Sequence, residues 1–301
     1  MSDPAHQLPA LPVKPVRGGR AESREVMELR ALRARQPDLA DAADIHLELL
    51  ELFRRVQGRV PLPSFEITSE ILSRHGASGH ALLRFEDVPL ELTDLRLLVR
   101  QTADVLHRFG ALEAGDHERV QRVGRNAELV AVTGRWFYSN PDRHAPAAAD
   151  SPRLDDGMPG DAALDQVLIL AMRPFLSRCA EVLQQHPGLT NWTRPYCALC
   201  GGEPDFAVIT PAAERHLMCG RCTLHWKFEP LTCPHCLNAE QARITSFATS
   251  DGQYRVYACD VCRRYLKAYD GRRALRPVMP FLDSVATLPL DAAAMQRGYT
   301  G

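Results

Sequence analysis

Cys197-Ala-Leu-Cys200, Cys219-Gly-Arg-Cys222, Cys233-Pro-His-Cys236 and Cys259-Asp-Val-Cys262 are the stretches that decide how this chain reads. Together they hold eight of its nine cysteines. Two cysteines separated by two residues can share one tight turn and aim both sulfurs at one ion, while N–H groups of that turn donate to the thiolates. Each pair is therefore half of a tetrahedral site. Between Cys200 and Cys219 lie 18 residues and between Cys236 and Cys259 lie 22, each room for a hairpin, against only 10 between Cys222 and Cys233. Spacing thus groups the pairs in sequence order: Cys197, Cys200, Cys219 and Cys222, then Cys233, Cys236, Cys259 and Cys262. An interleaved grouping, first with third and second with fourth, stays open at this level. Four thiolates in a tetrahedron suit zinc or a single iron, and the residues themselves do not choose between them.

Other uses of the cysteines fit less well. Redox C-x-x-C motifs come singly in a βαβ context that is missing here, and a site closed by four protein ligands leaves no position for substrate. Residues 195–270 carry eight basic and eight acidic side chains. Four thiolates around a divalent ion add a net −2 per site, so this region lacks the basic stripe that a nucleic-acid-binding ribbon needs. Cys179 falls on the apolar stripe of a helix and reads as a buried thiol. His225 and His235 flank ligand pairs, but cysteine already fills all eight ligand slots. The chain shows no P-loop, dinucleotide fingerprint, H-E-x-x-H or G-x-S-x-G motif, so no catalytic residue is assigned and the chain reads as a non-enzyme.

Outside the cysteines the chain is that of an ordinary globular protein. It has 301 residues, 45% of them apolar, and a formal net charge of −1, so bulk charge draws it to neither phosphate backbones nor anionic lipid. Residues 1–20 hold Pro4, Pro9, Pro12 and Pro15 without the apolar run of a secretory signal, and read as a disordered tail. No stretch of eighteen apolar residues occurs, so no membrane insertion is expected. Dense cysteines without a signal point to the cytoplasm and to metal rather than disulfides.

Residues 21–190 read as a helical domain. Pro37 and Asp38 open a helix that runs through Leu39, Ala43, Leu47, Leu50 and Phe53 to Gly58. Thr93 stands where it would cap a second, with Leu95, Leu98, Val99, Thr102, Leu106 and Phe109 on one face. A third covers 126–138. Residues 139–160, rich in proline and alanine, read as a loop or linker. Asp161 opens a long helix that Pro174 should bend or split. Beyond residue 190 the runs are strand-length: 206–209, 225–228, 243–248, 254–257 and 265–269. The expected fold is α+β, a helical N-terminal domain followed by two tandem metal-binding β units of the rubredoxin or zinc-ribbon kind, at 191–231 and at 232–301 with a C-terminal tail. Gly201 suits a rubredoxin-type turn at positive φ, whereas Thr223, Leu237 and Arg263 at the equivalent positions predict turns that are not uniform.

Four stretches go further than spacing. Cys-Ala-Leu-Cys-Gly-Gly-Glu-Pro (197–204), Arg-His-Leu-Met-Cys-Gly-Arg-Cys-Thr-Leu-His-Trp (215–226), Cys-Asp-Val-Cys-Arg-Arg-Tyr-Leu-Lys (259–267) and Leu-Asp-Ser-Val-Ala-Thr-Leu-Pro-Leu-Asp (282–291) resemble the formate dehydrogenase accessory proteins called FdhE. The resemblance covers roughly residues 190–300, and Ala198 departs from it where the family usually has proline. It implies a cytoplasmic protein that binds the catalytic subunit of a respiratory formate dehydrogenase during maturation. It also implies two metal ions per chain on the eight paired cysteines, iron ahead of zinc. The alternatives are a redox-active iron protein acting on that client and, further off, a zinc-ribbon nucleic-acid binder. The sequence leaves a homodimer open.

Overall fold

The computed structural model describes residues 22–63, 67–144, 161–184, 186, 189, 191–272, 274 and 276–301. The expected tail at 1–20 and most of the expected linker, 145–160, lie outside the described residues.

The first part of the chain is helical because apolar side chains recur at helical spacing and the ends are marked. Helix α1 (Arg24–Arg35) is capped by Ser23, and α2 (Ala40–Gln57) follows a short 3-10 turn at Pro37–Leu39. Helix α3 (Ser69–Ser78) is capped by Thr68, whose hydroxyl accepts from Ile71 N, and is closed by Gly79 in the left-handed region. Helices α4 (Leu92–Arg108), α5 (Ala114–Arg125) and α6 (Leu129–Phe137) follow, and then α7 (Ala162–Leu183), capped by Asp161. Leu168, Ala171, Met172, Phe175 and Leu176 of α7 are fully buried against α2 and α4.

Two local expectations are corrected. Thr93 does not cap α4, which already begins at Leu92 where that leucine packs on the core. The third helix starts at Leu129 rather than 126, because Asn126 Oδ1 accepts from Glu128 N in a local turn. Of the two outcomes expected at Pro174, a bend or a split, the split does not occur: α7 runs through the proline as one element, with buried contacts on both sides outweighing the single lost backbone bond.

Six strands, β1 (Pro204–Ile209), β2 (Arg215–Cys219), β3 (His225–Lys227), β4 (Ile244–Ala248), β5 (Tyr254–Cys259) and β6 (Tyr265–Asp270), form one sheet in the order β3-β2-β1-β6-β5-β4. Each ribbon is antiparallel, and the two join where β1 pairs parallel with β6, Phe206 opposite Lys267 and Ile209 opposite Asp270. Side chains alternate across this sheet as strand geometry demands. Ala207, Leu217, Leu266 and Ala268 face the helical core, while Phe206, Met218, Val256, Ala258 and Tyr269 face Leu290, Ala294 and Tyr299 at the chain's end. Helices α8 (Pro280–Ala286) and α9 (Leu288–Gln296) complete the fold. Helix α8 returns to α1 and α2, burying Phe281, Leu282 and Val285, and Phe281 N donates to Glu25. Among the described residues no helix is long and apolar enough to cross a membrane.

Candidate metal centres

All four cysteine pairs build the same turn. The N–H of the first cysteine donates to the carbonyl five residues on, Cys197 to Gly202, Cys219 to Leu224, Cys233 to Asn238 and Cys259 to Arg264. The residue after the second cysteine donates back to the carbonyl of the first, at 2.9–3.0 Å in every case. Closing the turn puts that residue in the left-handed region: Gly201 at φ 66°, Thr223 and Leu237 at 61° and Arg263 at 60°. Uniform turns replace the non-uniform ones expected from Thr223, Leu237 and Arg263, because the paired backbone bonds hold even a β-branched residue at positive φ.

These turns gather the thiols in sequence order. Cys197, Cys200, Cys219 and Cys222 form a first group and Cys233, Cys236, Cys259 and Cys262 a second, the sulfurs of each within 4.8 Å of one another. The closest sulfurs are 3.5 Å apart in the first group and 3.7 Å in the second. A tetrahedral thiolate site with metal–sulfur bonds of about 2.3 Å needs sulfurs about 3.8 Å apart, so both groups fit a single zinc or iron ion. Leu199 N and Arg221 N each donate to a sulfur at 3.4 Å, supplying the N–H donors that such sites use. Burial pushes the Cys197 and Cys222 thiols well up, whereas hydrogen bonds from the other three cysteines hold Cys200 well down. Four buried thiols cannot all ionise side by side without a cation among them, which is the chemistry a divalent ion supplies. Gly202 matters here, since a Cβ on it would lie 2.9 Å from Cys219 Sγ.

The two centres differ in what covers them. All four cysteines of the first are fully buried, because the helical region lies over its turns. Leu82 N and Leu83 N donate to the carbonyls of Ala198 and Leu199 at 2.9 and 2.8 Å. Arg143 donates to Gly201 O, Arg173 to Gly220 O, and Arg221 reaches Phe137 O while stacking 4.3 Å over Trp136. In the second centre Cys236 is exposed and Cys262 partly so. Glu203 bridges the two regions through Arg143 and Arg264, both at 3.0 Å. Burial works against its carboxylate, but the two guanidiniums outweigh that and hold it below its usual range.

Neither His225 nor His235 joins a sulfur group; burial lowers both rings, His225 to about 4. Cys179 is fully buried on α7 and belongs to neither four-sulfur group, and burial, with the nearby Cys200 adding to it, pushes its thiol up to about 12. The arginines over the first centre were missed in the sequence. Arg221, inside its own pair, was the one visible signal.

No family model matches the chain. It is 28% identical over 152 residues to an FdhE homolog from Aquifex aeolicus, a match covering 48% of this chain and 52% of that one. A second FdhE homolog, from Shewanella oneidensis, is 30% identical over 107 residues, covering 34% and 35% of the two chains. The fold matches the crystal structure of the FdhE protein from Pseudomonas aeruginosa with a TM-score of 0.59, covering 92% and 91% of the chains at 20% identity. In sequence over part of its length, and in fold, the chain is similar to FdhE proteins. It spans about half the length of the first of these FdhE relatives in sequence and about a third of the second, whereas the likeness in fold to the Pseudomonas FdhE extends over nearly the whole chain.

Proposed function

We propose that this protein is an accessory factor that binds the catalytic subunit of a respiratory formate dehydrogenase in the cytoplasm and is needed for its assembly or activation. In this reading it holds two metal ions on its eight paired cysteines, iron ahead of zinc, and turns over no substrate of its own. The observation that carries it is the likeness to FdhE proteins in both sequence and fold, together with two groups of four thiols whose spacing could each hold one ion. A centre with four protein ligands holds structure and offers no open coordination position, which supports a binding role.

The test is binding of the metal-loaded chain to the isolated catalytic subunit, paired with formate dehydrogenase activity in cells lacking the chain. Micromolar or tighter binding and lost activity are expected. Absent binding with unchanged activity removes the proposal. Exposure of Cys236 favours a second reading, in which iron at the second centre exchanges electrons with the client. Visible absorbance that bleaches on reduction supports that reading, and a colourless zinc protein that still activates the dehydrogenase removes it.

A further inference from the structure

The chain contains the same four-cysteine unit twice, and among the described residues only the first copy has its outer face covered. In each unit two cysteine turns flank a hairpin, and all four turns share one hydrogen-bonding pattern. Positions therefore correspond: Ala198 and Leu199 with Pro234 and His235, Gly201 with Leu237, Arg221 with Val261. In the first unit these positions are occupied from outside. The segment His80–Arg84 donates two backbone N–H groups to Ala198 and Leu199, and Leu83 is buried against them. Arg143 sits on the Gly201 carbonyl, and Arg221 is engaged with α6.

In the second unit no described residue donates to the carbonyls of Pro234 or His235. Leu237 is 57% exposed and Val261 51%, and Cys236, next to Leu237 in the turn, is an exposed residue. A shallow cleft of about 230 Å³ opens beside Cys236 and Leu237. Two exposed apolar side chains, one on each cysteine turn of the second unit, and carbonyls that accept from no described residue have the composition of an interface centre rather than of ordinary surface. Charge indicates what fits. Four thiolates around a divalent ion leave −2, so the complementary surface offers N–H donors and a basic side chain, as the cover of the first centre does.

We propose that the outer face of the second centre, formed by Cys236, Leu237 and Val261, is the docking surface for the client. A non-helical apolar segment of the formate dehydrogenase catalytic subunit covers it as His80–Arg84 covers the first centre. Main-chain N–H groups of that segment pair with the carbonyls of Pro234 and His235, an apolar side chain lies on Leu237 and Val261, and a basic residue faces the centre. This rests on the accessory reading above, and two probes separate the failure of one from the failure of the other.

The first probe is the isolated catalytic subunit. Leu237→Glu and Val261→Glu in the full metal-loaded chain should keep two metal ions and weaken binding at least tenfold, while Met27→Glu, at an exposed position on α1, should not. Unchanged binding by both variants overturns the docking face and leaves the accessory reading standing. The second probe is a peptide copying residues 79–86, titrated into the isotope-labelled zinc-loaded chain. Amide signals of Leu237 and Val261 should shift, those of Ala198 and Leu199 should not, and Leu237→Glu should abolish the shifts. If the unaltered chain fails to bind the subunit, the accessory reading fails and the peptide decides the docking face alone. Absence of shifts, or shifts that persist in Leu237→Glu, overturns it.

Discussion

Replacing Asp283 with asparagine should destabilise the chain without touching either metal centre. Asp283 is fully buried at the start of α8 and accepts from Tyr254 Oη at 2.8 Å, from Met279 N at 2.6 Å and from the Arg276 guanidinium. The side chains of Asp283 and Arg276 are only 1% and 10% exposed. Removing one member of such a buried pair strands the other and costs about 3–5 kcal/mol. Arg276 keeps Tyr254 Oη at 2.9 Å and its stacking on Tyr269 at 5.1 Å, so the lower end, about 3 kcal/mol, applies. For a chain of 301 residues that lowers Tm by roughly 5 °C. Calorimetry on the metal-loaded chain measures it, with Tyr254→Phe, costing about 1 kcal/mol, closing a double-mutant cycle. A loss under about 1 kcal/mol for Asp283→Asn, with metal content unchanged, would refute the assignment of this carboxylate as the anchor of α8.

Gly202→Ala should disrupt the first centre, since the added methyl meets Cys219 Sγ at 2.9 Å and the Arg221 side chain at 3.0 Å; metal content should fall to about one ion while the second centre stays loaded. A chelator should strip the second centre before the first, because Cys236 is exposed and the first four cysteines are not; two kinetic phases of about equal amplitude are expected, the fast one absent in Cys259→Ser. His46 lies against Phe281, and burial pushes its ring down to about 4. The unfolded chain takes up a proton near pH 6.5 and the folded chain does not, so this part of the stability is full above 6.5 and is lost as pH falls towards 4. His46→Gln should remove on the order of 1–3 kcal/mol of acid sensitivity across that window, measured by urea unfolding, and an unchanged pH slope contradicts it.

What could be read in the sequence followed the range of the physics. Each cysteine turn is a local object, and a spacing of two residues is enough to write it. The left-handed φ of Thr223, Leu237 and Arg263 was not legible, because propensity favours glycine there and only the closed hydrogen bonds override it. Helix α2 and the apolar face of α4 came from periodicity and stand where expected. Non-local pairings left no such mark. Phe206 meets Lys267 across sixty residues, and Phe281 returns to Glu25 on the first helix, through contacts that no window of sequence contains. The cover of the first centre was hidden for the same reason: Leu82 and Leu83 look like any apolar pair until the fold lays their N–H groups on Ala198 and Leu199.

The most direct measurement is elemental analysis of untagged protein purified without air, beside Cys197→Ser and Cys259→Ser. About two metal atoms per chain, falling to about one in each variant, is the predicted result for two independent four-thiolate centres grouped in sequence order. An unaltered chain with no metal and its cysteines in disulfides, or a loss of both ions in each variant, contradicts it.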